Sequence, residues 1–316
     1  MINGDAVSER TAPIGRFDIC MSPREAANWN SQRKMILQNQ LVVPRMGDVT
    51  RFFLLLVWVS TAIAQTTIQF ATVSQDIVEK RLGAYVSKND QREPAVRQIF
   101  EDAGCAGERL TEQRVKGLKA PNLICTLPGA TEVVIVVGAH FDLVEAGDGV
   151  IDNWSGASLL PSLYQGIEGV QRRHTFRFVA FSGEEKGQLG SKAYVRELGN
   201  THEQVIAMVN MDTLGLAEAE VWVNHADSKL VQLMELTAAV VKLPVSGMNV
   251  DQVGTTDSEP FREKKIPAIT IHSLTSATLP ILHSPKDRIA AVRKDEYFRT
   301  YRLVLAYLAV LDQKLD

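Results

Sequence analysis

The chain has 316 residues, 45% hydrophobic and 22% charged, with a net charge of −3. That is ordinary globular composition, enough for one large domain or two small ones. There is no strong basic excess and no Lys/Arg-rich run, so nucleic acid is not an expected partner, and Gly and Pro are too sparse for long disordered tracts.

In chain order, residues 1–45 are polar and poorly periodic and carry no fold signal. Phe52–Ala64 is then apolar, broken only by Ser60 and Thr61, with Arg51 before it and Ala-Ile-Ala at its end. A charged flank, a short apolar stretch and a small-residue end form the pattern of a secretory signal peptide. The run is shorter than the roughly 20 residues that span a bilayer as a helix. Met46 lies just upstream. Residues 46–64 therefore read as a signal peptide, 1–45 as a leader or an over-extended start, and 65–316 as the mature domain. That domain is expected to be exported, to the periplasm or the medium, with no stable membrane anchor after cleavage. Of three cysteines, Cys20 falls in the leader, and Cys105 and Cys125 remain. An even pair suits a disulfide in an exported domain, and two buried thiols fit the same count.

From about Val73, "VSQDIVEKRLGAYV" has helical apolar spacing, and "QREPAVRQIFEDAGC" predicts a second helix with Pro94 in its first turn. "PNLICTLPG" predicts a strand ending in a Pro-Gly turn. "TEVVIVVGAHFD" is a continuous β-branched run, the pattern of a strand buried on both faces. A helix over "GASLLPSLYQGI", a strand over "HTFRFVAFSGEE" and a helix over "KGQLGSKAYVREL" follow. Next come a strand over "VIAMVNMD", a long amphipathic helix over "DSKLVQLMELTAAVVK", a strand over "IPAITIHSL" and a closing helix over "DEYFRTYRLVLAYLAVL". Alternating strands and helices predict a single α/β domain with a mostly parallel central sheet flanked by helices.

The strand ends carry the chemistry. The first long strand ends in His140, Phe141 and Asp142, the second in Glu184 and Glu185, the third in Asp212. Ligands of open α/β sheets bind outside the carboxyl ends of the strands. Asp152 precedes a helix, and His283 sits in the loop "LPILHSPKD" after the fourth strand. Imidazole and carboxylates converging from separate segments suit a metal site with N and O ligands. His140 and Asp142 are two apart and share a face on extended backbone. Asp142 then reads as the acceptor of the second N–H of a ligating His140 rather than as a ligand. Asp152 can equally be a helix N-cap, and nothing in the adjacency of Glu184 and Glu185 says which of them does what.

"AHFD", "DNWSG", "GEEKGQLGS", "NMD" and "LHSPKD", in that order from about Asn122 onward, resemble the motif series of the secreted co-catalytic zinc aminopeptidases. That family includes bacterial leucyl aminopeptidases, aminopeptidase S and the catalytic domain of glutamate carboxypeptidase. The resemblance implies the zinc-peptidase, phosphorylase/hydrolase-like fold and two zinc ions per chain. It implies His140 and Asp212 on one ion, Glu185 and His283 on the other, and Asp152 bridging them. Glu184 would be the general base and Asp142 would orient His140. The implied activity is hydrolysis at the N-terminus of a peptide substrate. One motif departs: where many members carry Ser-Asp-His before Pro-Phe, this chain has Asp257 followed by Ser258. Thr255, Thr256 and Ser258 are hydroxyl donors or plain turn residues there. Three alternatives stand beside the aminopeptidase. A carboxypeptidase of the same architecture would draw on Arg262, Lys264, Lys265 or Arg288 for the substrate carboxylate. A glutaminyl cyclase would be an acyl transferase on a related fold. A non-catalytic relative would be expected to have lost ligands, and this chain keeps them.

Overall fold

The computed structural model describes residues 15–18, 67–199 and 204–316. The chain divides into two compact units. Phe17–Thr67 forms one, of which only 17, 18 and 67 are described; the other takes in the remainder, and the fold below is that of its residues from Ile68 onward. The expected signal peptide, 46–64, lies outside the described residues, as does nearly all of the expected leader. Among the described residues, no helix is long and apolar enough to cross a membrane.

Eight strands form one sheet: β1 (Leu110–Gln113), β2 (Asn122–Leu127), β3 (Val134–His140), β4 (Thr175–Phe181), β5 (Val205–Met211), β6 (Ala219–Val221), β7 (Val245–Gly247) and β8 (Ala268–His272). Their order is β1-β2-β4-β3-β5-β8-β6-β7. The inner four, β4, β3, β5 and β8, run parallel, while β2 against β4 and β6 against β8 are antiparallel. The parallel centre is the one predicted from the alternation of strands and helices. The short strands β1, β6 and β7 are absent from the elements predicted from the sequence, because three or four residues are too few to set a period. All seven residues of β3 are buried, as expected of a strand covered on both faces.

Among the described residues, seven helices flank the sheet: α1 (Gln75–Gly83), α2 (Asn89–Asp102), α3 (Ser155–Glu168), α4 (Leu189–Leu198), α5 (Ser228–Val241), α6 (Glu259–Glu263) and α7 (Lys294–Lys314). Residue alternation along β3 sorts them. Val134 and Val136 join Tyr194, Val195 and Leu198 of α4 and Phe261 of α6 in one core. Ala139 faces the other way, where a Cβ on Gly156 of α3 would sit 2.9 Å from its own Cβ. α3 packs there with α1, α2 and α7. α2 starts at Asn89, two residues earlier than the sequence reading, so Pro94 sits in the second turn and leaves the Asp90 carbonyl without its helical partner. Cys105 and Cys125 form a disulfide with Cα atoms 6.2 Å apart, joining the segment after α2 to β2.

Candidate metal centre

The carboxyl ends of β3, β4 and β5 lie side by side, and each delivers one piece of the site. His140 is the last residue of β3. β4 ends at Phe181, and Glu184 and Glu185 follow in a turn. Gly183 opens that turn at φ +72°, a left-handed conformation that glycine adopts without a Cβ penalty. Asp212 directly follows β5.

Asp152 comes from a π-type turn, Val150–Trp154, ahead of α3. The cap reading of Asp152 fails. Asn153 does that work, its Oδ1 accepting the Gly156 N–H at 2.9 Å, which leaves the Asp152 carboxylate free to point into the site. The turn is held from outside by Asp287, whose oxygens accept the N–H groups of Ile151 at 2.6 Å and Asp152 at 3.1 Å. His283, at φ +50° and with its side chain half exposed, reaches in from the loop after β8.

The geometry centres on Asp152. Its Oδ1 is 3.2 Å from His140 Nε2 and its Oδ2 is 3.1 Å from His283 Nε2. On the first side His140 Nε2 lies 3.7 Å from Asp212 Oδ1. On the second, His283 Nε2 lies 3.3 Å from Glu185 Oε2. Two donor groups therefore share Asp152: His140, Asp152 and Asp212, and Asp152, Glu185 and His283. The donor atoms within each lie within 4.8 Å of one another. His140, Glu184 and Glu185 form a third such group, with Glu184 Oε2 3.9 Å from His140 Nε2. Glu185 Oε1 is buried with no hydrogen-bond partner. Such an orphan is costly in apolar surroundings unless a cation meets it.

Asp142 stands behind this set. Its Oδ1 is 3.6 Å from His140 Nδ1, and its two oxygens accept the backbone N–H groups of Glu184 at 3.1 Å and Glu185 at 3.2 Å. One carboxylate thus faces the back of the imidazole and pins the turn that carries both glutamates.

Charge is concentrated here. Burial pushes Glu184 up to about 9, with Asp257 and Asp212 adding to the rise against the pull of His140. Burial and the neighbouring Asp152 push Glu185 up to about 7. The Asp152 contact raises His283 to about 9. Burial works against the imidazolium of His140, but Asp142, Asp152 and Asp212 outweigh it and hold the group well above its ordinary value. Behind the site, Arg92 is wholly buried. Its guanidinium donates to the carbonyls of Val86, Phe141, Asp148 and Gly149 at 2.7–2.9 Å and lies 5.5 Å from the Trp154 ring. Two of those carbonyls flank the ligand-bearing segments at His140–Asp142 and Val150–Asp152.

The donors open into a cavity of about 520 Å³. Its other wall is apolar, with Trp222, Val250, Leu274, Leu279 and Leu282, and the segment 250–256 lines one side. None of Arg262, Lys264, Lys265 and Arg288 lines it; Arg262 instead pairs with Glu259 and contacts His225. The three hydroxyls are engaged. Thr255 accepts from Gln188, Thr256 accepts from Asn210, and Ser258 accepts from Thr270. Asp257 is fully buried behind the cavity, and burial pushes its carboxyl up to about 7.

The sequence reading missed Asp287, Arg92 and the apolar wall. Asp287 was within reach, four residues after His283 in "LHSPKD". Arg92 carried no signal, since a cation on an amphipathic helix reads as solvent-facing.

The chain is 29% identical over 214 residues to Aminopeptidase YwaD of Bacillus subtilis (strain 168), covering 65% of this chain and 46% of that protein. It spans about half to two thirds of the length of the first curated relatives it matches. The fold is similar to that of the LapA aminopeptidase of Legionella pneumophila (TM-score 0.69, 20% identity, 77% of this chain and 73% of that one). It is also similar to that of a glutaminyl cyclase of an Acidobacteriales bacterium (TM-score 0.62, 16% identity, 76% and 94%). Residues 122–308, more than half of the chain, match Peptidase family M28, and the chain belongs to that family.

Proposed function

We propose that the chain is an exported two-zinc aminopeptidase. The observation that carries the reading is the pair of three-donor groups sharing Asp152, with the orphaned Glu185 oxygen in the second. Imidazole nitrogen and carboxylate oxygen are suitable zinc donors. In this reading His140 and Asp212 would hold one ion, Glu185 and His283 the other, and Asp152 would be shared between them. A zinc pair held there would supply Lewis acidity toward the scissile carbonyl and toward water. Asp142 keeps His140 oriented and its ring basic. Glu184 takes a proton from the attacking water and passes it to the leaving amine.

The cavity supports an amine-first substrate. Among the described residues its lining contains Asp152, Glu184, Glu185 and Asp212 but no Lys or Arg. The lining therefore offers no side-chain cation for a substrate's C-terminal carboxylate, as a carboxypeptidase would need. The disulfide fits an oxidising compartment, in keeping with export.

The test is turnover of a panel of aminoacyl-nitroanilides by the purified chain, with metal content measured and a chelator arm. Chelator-sensitive release with close to two zinc ions per chain is expected. One zinc per chain together with cyclisation of N-terminal glutamine would replace the peptidase with an acyl transferase.

A further inference from the structure

Gln188 sits in "GEEKGQLGS", three residues after Glu185 and directly before α4. Its φ of +55° is unusual for a residue with a side chain. The backbone there is well tied. Its N–H donates to the Glu184 carbonyl at 2.8 Å, and its own carbonyl accepts from Lys192 at 2.9 Å, within the first turn of α4. This conformation puts the side chain on the cavity wall. The amide Nε2 carries two hydrogens and uses both: one to Glu184 Oε1 at 3.2 Å, the other to Thr255 Oγ1 at 2.7 Å. Among the described residues, Gln188 supplies the one hydrogen bond to the Glu184 carboxylate. Thr255 belongs to the segment 250–256 that lines the cavity beside Trp222.

We infer that Gln188 is a positioning residue for Glu184, locking the orientation of its carboxylate to the placement of the 250–256 wall. The inference rests on the reading of Glu184 as the base. A glutamate side chain has three rotatable bonds, and the Asp142 contacts fix only the backbone of this one. A substrate seated against the wall through Thr255 would hold Gln188, and Gln188 in turn would hold the carboxylate toward the water it deprotonates. Losing that alignment lowers the rate of the chemical step without removing any contact to the substrate.

The experiment compares Gln188→Met, which keeps length without a donor, with Gln188→Gly, which suits the left-handed backbone and deletes the side chain. Both should lower kcat about 10-fold or more, with KM within about 2-fold. Metal content should be unchanged, and Gln188→Gly should melt no lower than the parent. Thr255→Val should lose kcat in the same direction, Thr255→Ser should recover most of that loss, and Gln188→Met with Thr255→Val should lose no more than Gln188→Met alone. Unchanged kcat in both Gln188 variants, a change in KM alone, or additive losses would overturn the inference. Glu184→Gln is measured alongside. If it stays active, the base assignment itself has failed. If it collapses while Gln188→Met does not, only the positioning role has failed.

Discussion

Replacing Arg92 by methionine tests whether the metal-site scaffold is held from behind by one buried cation. Methionine has similar length and is apolar, so it deletes the donors without leaving a large void. Two of the four accepting carbonyls, those of Phe141 and Gly149, are in buried contacts, and the other two, of Val86 and Asp148, are part-buried. A buried polar group stripped of its partner costs about 1–3 kcal/mol, and a part-exposed one regains much of its loss from water. Burial itself opposes the charge, holding the guanidinium near 10, and methionine removes that penalty. The net expectation is a loss of about 4 kcal/mol, a large share of the roughly 5–15 kcal/mol that holds a domain together. At about 2–4 °C per kcal/mol for a domain of this size, the melting temperature of the metal-free protein should drop by about 8–16 °C. Arg92→Lys keeps the charge but cannot reach four carbonyls, and should fall between. Thermal unfolding followed by circular dichroism, with chelator present throughout, reads the effect. A drop of less than about 3 °C in Arg92→Met would refute the argument that these carbonyls depend on the guanidinium.

The two adjacent glutamates should separate. Glu184→Gln is expected to lower kcat by about 10²–10⁴-fold with zinc content unchanged, whereas Glu185→Ala should lose one zinc per chain by metal analysis; equal metal loss in both would sink the division of labour. Reducing the Cys105–Cys125 disulfide, or Cys105→Ser with Cys125→Ser, opens a loop of 20 residues and should cost about 3 kcal/mol, read as a lower denaturant midpoint; no shift would mean the cross-link constrains nothing in the unfolded chain. Asp227 caps α5, accepting from Lys229 at 2.9 Å and Leu230 at 3.2 Å, so Asp227→Ala should cost about 1 kcal/mol of stability and leave kcat as it was. A kcat loss there would show that α5 communicates with the site.

The long elements and the candidate donors were legible along the chain, while the short strands β1, β6 and β7 were not. "VIVVGAH" has the pattern of a strand buried on both faces, and His140, the Glu184–Glu185 pair and Asp212 emerge at one edge once the strands run parallel. Their chemistry is local and written in residue type. The resemblance of five motifs put names to the roles. Folding set what depends on non-local contact. It chose Asn153 over Asp152 as the cap of α3, because only the folded turn shows which side chain reaches the Gly156 N–H. It brought Asp287 under the Asp152 turn across more than 130 residues of chain. It turned Arg92 inward, although its helix pattern pointed to solvent, because four carbonyls converge where α2 meets the site. It also set Thr255 against Gln188, 67 residues away in sequence. Hydrophobic period and residue chemistry act along the chain and can be read from it. Hydrogen bonds between distant loops exist only once the sheet has fixed where those loops begin.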